Sequence, residues 1–107
     1  MHTPALTVTV TDDEAVVALV GEHEAYSAEK LARCLSGLID EAVPITVDLG
    51  RAAFIDSTVV GELLAASHRA RSTCLPFRLR LGAETGWPVR RLLEVTGLDT
   101  QFDVVSA

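Results

Sequence analysis

The chain has 107 residues, 49% of them apolar and 22% charged, and carries a net charge of −6 at neutral pH. That length makes a single domain over residues 1–107 with a core of its own, and so apolar a composition excludes a disordered chain. The acidic balance argues against duplex nucleic acid or an anionic membrane as the main partner, because both need clustered Lys and Arg.

Leu6-Thr7-Val8-Thr9-Val10 alternates as a half-exposed strand does. Asp12-Asp13 supplies a turn, and Ala15 to Val20 reads as a more buried strand, so the two are expected to pair as a hairpin. Gly21-Glu22-His23-Glu24-Ala25-Tyr26 follows as a loop, with Ser27 as N-cap of the next helix. Leu31, Cys34, Leu35, Leu38 and Ile39 recur there at the spacing of one helical face, and Pro44 stops the run.

Ile45 to Leu49 is mostly apolar and reads as a central strand, followed by a short loop to Asp56-Ser57. A helix then runs to about Arg71 with Val60, Leu63, Leu64 and Ala70 available for the core. Phe77-Arg78-Leu79-Arg80-Leu81 is a strand with one basic face, and Gly82 to Gly86 a loop. Pro88 suits the first turn of a helix holding Val89, Leu92 and Leu93, which Gly97 ends. Phe102 to Val105 makes a short closing strand. Strands alternating with helices give an α/β domain, its sheet opened by an antiparallel hairpin and continued by parallel crossovers.

Asp56 delivers Ser57 to the first turn of a helix, where backbone N–H groups lack partners and the dipole favours negative charge. A hydroxyl there is well placed to gain or lose a phosphate. The words around it, Asp48-Leu49, then Phe54-Ile55-Asp56-Ser57-Thr58, resemble the signature of the STAS domain, the fold of bacterial anti-sigma factor antagonists. Two further pieces fall in the family's order. Gly21-Glu22-His23-Glu24 stands where the family has a Gly-Glu-hydrophobic-Asp loop, and Arg90-Arg91-Leu92-Leu93 through Gly97-Leu98 matches its ending.

The resemblance implies a STAS fold and a regulatory function without catalysis or cofactor. It makes Ser57 the phosphoacceptor. The unphosphorylated protein would bind a serine-kinase anti-sigma factor and free a sigma factor; phosphorylation would end the complex, and a metal-dependent serine phosphatase would reset it. Glu22, Glu24, Asp56, Thr58 and Val59 would form the partner surface. The chain departs from the family at Val59, where relatives have glycine, at Val60 in place of leucine, and at Glu24 in place of aspartate beside His23. A β-branched residue fills space that a glycine would leave to a partner's backbone, so Val59 is expected to narrow partner choice.

Each residue also has a plainer reading. Asp56 or Ser57 would begin any helix well, Thr58 suits a first turn, Glu22 and Glu24 could be a solvated acidic loop, and Trp87 reads as a core-edge aromatic. The alternative function is a STAS module that is never phosphorylated and serves as a scaffold or small-ligand sensor. His68, Arg69 and Arg71 crowd one helix end, where cations are favoured anyway.

Enzymatic readings find little support. Gly82 and Gly86 match neither nucleotide fingerprint, and Ser57 lacks the glycines of a nucleophile elbow. His2, His23 and His68 have no metal-ligand spacing, and Cys34 and Cys74 no redox spacing; Cys34 falls on an apolar helix face as a small core residue. No apolar run reaches the ~20 residues needed to cross a bilayer, and the N-terminus lacks a signal-peptide layout, so the expected location is cytoplasmic. Lys30 is the only lysine; the arginine bias, with so much Ala and Val, points to a GC-rich bacterial source.

Overall fold

A computed structural model describes residues 4–100 and 102–106; His2 and the other residues at the two ends lie outside them. The order of elements is β1 (Ala5–Val10), β2 (Ala15–His23), α1 (Ala25–Asp40), β3 (Ile45–Ile55), α2 (Ser57–Ser72), β4 (Phe77–Leu81), α3 (Trp87–Thr96), a 3-10 turn (Leu98–Thr100) and β5 (Asp103–Ser106). The five strands form one sheet in sequential order. β1 and β2 make the antiparallel hairpin, and every later pairing is parallel. This is the expected fold class.

Because each parallel crossover steps one strand in the same direction, right-handed connections lay α1, α2 and α3 on the same face of the sheet. Along β2 the buried positions alternate as Ala15, Val17, Leu19, Gly21 and His23, which marks that covered face. Leu31 and Leu35 of α1, Leu63 of α2, and Val89 and Leu93 of α3 meet Val17, Leu19, Val47, Leu49 and Leu79 of the strands in one core. Each fully buried Leu or Val is worth about 1.5–3 kcal/mol relative to exposure. Burial pushes the Cys34 thiol up, consistent with a half-buried core residue.

β2 and β3 run further than expected. Register shifts between Ala18 and Val20 and between Gly21 and Glu22 let the two strands continue in parallel until Glu22 lies beside Phe54 and His23 beside Ile55. The shift is local chemistry: Asp48 Oδ1 accepts the Gly50 N–H at 2.8 Å, bending β3, while Gly21 takes a φ of 84° that L side chains rarely adopt. The Gly21–His23 segment is therefore strand, not loop.

The loop before α3 is pinned over β3. Thr85 Oγ1, buried, donates to Leu49 O at 2.8 Å, and Gly86 N–H donates to Ala52 O at 2.8 Å. A Cβ on Gly86 would stand 2.3 Å from Ala53 O, so only glycine permits that approach. Trp87 and Pro88 then open α3, and Gly97 closes it at a φ of 72°. Elsewhere the basic positions are answered by acids: Arg78 pairs with Asp103 at 3.0 Å, and Arg69 with Asp40 at 3.0 Å while also donating to Ser36. Such exposed pairs contribute ~0–1 kcal/mol each.

Candidate functional site

The C-terminal ends of β2, β3 and β4 lie along one edge of the sheet, and each leads into a helix there. Asp56 is the joint. Its N–H donates to His23 O at 3.2 Å, tying the end of β3 to the end of β2. Its carboxylate oxygen Oδ1 accepts the Val59 N–H at 3.0 Å and the Thr58 hydroxyl at 2.9 Å, the geometry of an N-cap. Partial burial raises the carboxyl's pKa, but bonds from Val59, Thr58 and the Ala25 backbone outweigh it and hold the group below its ordinary value. Asp56 thus caps the start of α2 and lies beside the start of α1.

Ser57 is the first residue of α2 and is exposed, and its hydroxyl has no hydrogen-bond partner among the described residues. Thr58 differs, since its hydroxyl is already engaged by Asp56. Glu22 and Glu24 are exposed on either side of His23, at the same edge as Asp56. Of the predicted residues, Glu22, Glu24, Asp56, Ser57 and Thr58 are therefore brought together on the surface.

Val59 is a correction. Its side chain is 1% exposed and belongs to the core, so its isopropyl group faces the sheet and not a partner. Helix phase explains this: Val59, Leu63, Ala66 and Ala70 recur along one buried stripe, and only the Val59 N–H takes part at the edge. Ser27 is a second correction. α1 starts at Ala25 with Glu24 as N-cap, and Glu24 makes no side-chain cap bond. Ser27 lies inside the first turn, its N–H donating to Glu24 O.

Trp87 also departs from its expected place, being 71% exposed on the first turn of α3 with Arg91 6.0 Å from its ring centre. Tyr26, 95% exposed on the first turn of α1, received no functional reading from the sequence. Both were detectable as aromatics out of phase with their helices' buried positions, Ala28, Leu31 and Leu35 in α1 and Val89 and Leu93 in α3. His23 is buried; its Nε2 lies 3.0 Å from Val20 O and so carries the proton, while Nδ1 has no partner among the described residues.

Among the described residues no cluster of His, Cys, Asp and Glu is arranged to hold a metal ion, and no helix is long and apolar enough to cross a membrane. A cavity of about 670 Å³ opens on the uncovered face of the sheet between Ala18, Asp48, Gly50 and Arg80, and neither Asp56 nor Ser57 lines it.

The same architecture occurs in solved anti-sigma factor antagonists. One from Mycobacterium paratuberculosis superposes with a TM-score of 0.79 at 22% identity, covering 95% of this chain and 85% of that one. SpoIIAA, an anti-sigma factor antagonist in its unphosphorylated form, gives 0.73 at 24% identity, covering 96% of this chain and 89% of that one. The phosphorylated form of the Bacillus cell-fate determinant SpoIIAA gives 0.76 at 22% identity, covering 96% and 91%. The sequence model described as "Mlab, STAS domain" matches residues 6–106, and the chain belongs to the STAS domain family.

Proposed function

We propose that this domain is a phosphorylation-switched antagonist of a serine-kinase anti-sigma factor. With Ser57 free it binds the kinase and a sigma factor is released; the kinase transfers the γ-phosphoryl group of ATP to Ser57 Oγ, ADP leaves, and the complex ends. A metal-dependent serine phosphatase restores the hydroxyl. These partners place the protein in the cytoplasm of a bacterium as a regulator of transcription, acting by binding and not by catalysis.

The observation that carries this reading is the exposed, unengaged Ser57 hydroxyl on a rigid helix start whose neighbouring hydroxyl is taken. The Asp56 carboxylate is committed to the start of α2, so the base for phosphoryl transfer belongs to the kinase. A phosphate at Ser57 adds roughly −1.5 to −2 charge beside Asp56, which disfavours a fitted interface by like-charge repulsion and desolvation. A protein of the same fold, SpoIIAA, is known in unphosphorylated and phosphorylated forms, which supports the same two states here.

The test is incubation with the anti-sigma kinase and ATP. One phosphate is expected on Ser57 and none on Ser57→Ala. Ser57→Asp should bind the kinase far more weakly than wild type, and Ser57→Ala nearly as well. Phosphate mapped to Thr58, or tight binding by Ser57→Asp, would overturn the switch.

A further inference from the structure

We infer that the docking edge around Ser57 is anchored by two aromatic side chains, Tyr26 and Trp87, and that it fits a protein surface offering apolar pockets for them and basic residues opposite Glu22 and Glu24. This rests on the proposed function for the partner's identity, and on this chain's own geometry for everything else.

The chain has five aromatic residues, three Phe, one Tyr and one Trp. Phe77 and Phe102 are buried and pair with ring centres 6.5 Å apart. The other three, Tyr26 (95% exposed), Trp87 (71%) and Phe54 (36%), all lie at the edge where the helices begin. Tyr26 adjoins Ala25, whose backbone lies beside Asp56, and Trp87 adjoins Gly86, whose N–H is on Ala52 O. Phe54 sits beside Glu22 in the β2–β3 register, two residues before Asp56. Tyr26 and Trp87 thus each open a helix at the strand ends that also lead to Ser57.

A single exposed apolar residue needs no explanation, but every non-core aromatic of a chain gathered at one edge does. Tyr and Trp on rigid backbone lose little conformational entropy on binding, and they dominate binding energy where they seat in pockets. Charge names the partner's chemistry. Glu22 and Glu24 are exposed beside Tyr26, so basic side chains complement that half, while Arg91 lies against Trp87 at the other. Two copies of this chain meeting edge to edge about a twofold axis that paired the Tyr26 halves would oppose these glutamates to each other.

The experiment is calorimetric titration of the full chain with the serine-kinase anti-sigma factor of the same genome. Tyr26→Ala and Trp87→Ala should each weaken binding by roughly 10- to 30-fold or more at unchanged melting temperature. Val95→Ala, which removes an equally exposed apolar side chain (67%) from the far end of α3, should bind within about 2-fold of wild type. Glu22→Lys with Glu24→Lys should slow association and flatten its salt dependence. Wild-type binding with both aromatic variants equally tight overturns the anchors and leaves the functional reading standing. A homodimer dissolved by the aromatic variants while kinase binding is unchanged assigns the edge to self-association and overturns the inference. Failure of wild type to bind any such kinase defeats the functional reading and this inference with it.

Discussion

The starts of α1 and α2 stand side by side on the same edge and are built differently. α2 begins on Asp56, whose carboxylate binds the Val59 N–H and the Thr58 hydroxyl, and the Val59 side chain is sunk into the core one residue later. α1 begins on Glu24, which caps nothing with its side chain, and its first three residues expose Ala25 and Tyr26 before Ala28 reaches the core. The Ala25 backbone lies near enough to the Asp56 carboxylate to favour its charged form, but Asp56 caps α2 alone. Ser57 can be an exposed, modifiable residue on fixed backbone because the residues before and after it do the fixing.

The largest test of that contrast is Val59→Gly. A valine facing a partner would cost the free domain well under 1 kcal/mol, through helix propensity alone. A valine in the core should cost about 2–4 kcal/mol, from lost burial plus a cavity. Urea denaturation should show the larger loss, while Tyr26→Ala at the start of α1 should leave the midpoint almost unmoved. A loss below 1 kcal/mol for Val59→Gly would mean that α2 is not anchored as described.

Next in size is Asp56→Ala, expected to destabilise by about 1–2 kcal/mol as an N-cap does, against a few tenths for Glu24→Ala. Equal effects at the two positions would erase the distinction between the helix starts. The charge can be isolated from the cap with pH. Since the folded carboxyl is held below its ordinary value, its stabilisation is complete above the unfolded value of about 3.9 and is lost as the pH falls through the folded one. Wild type should therefore exceed Asp56→Asn in melting temperature near pH 7, and the gap should narrow as the pH falls below the unfolded value. A gap that stays constant across that range would assign the effect to shape instead of charge.

Much of this was legible in the sequence because it is local. Alternation marked β1 and β4, a helical stripe marked α1, and Asp56-Ser57 announced the start of α2. The buried phase of Val59 was legible too, four residues before Leu63, although the family's glycine drew the reading toward a partner instead. What stayed hidden is non-local. The extension of β2 through His23 depends on a bend in β3 made by Asp48 and Gly50, some 25 residues away in the chain. The burial of His23, polar by composition, follows from the same extension. No pattern within α1 could show that its first residue lies beside a carboxylate from the end of β3.

The smallest expected effect is the one that separates local from non-local capping most cleanly. Ser27 has the residue type of an N-cap, and if it held that role Ser27→Ala would cost about 1 kcal/mol. In the structure Ser27 lies within the first turn of α1, its N–H is satisfied by Glu24 O, and the helix already has two residues ahead of it. Alanine is the better helix former at such a position, so Ser27→Ala should fall within ~0.5 kcal/mol of wild type and on the stabilising side. Combined with Asp56→Ala, the two single effects should simply add, because the two residues share no bond. A loss near 1 kcal/mol in the single variant, seen as a lower urea midpoint at constant slope, would put the start of α1 three residues later, at Ala28.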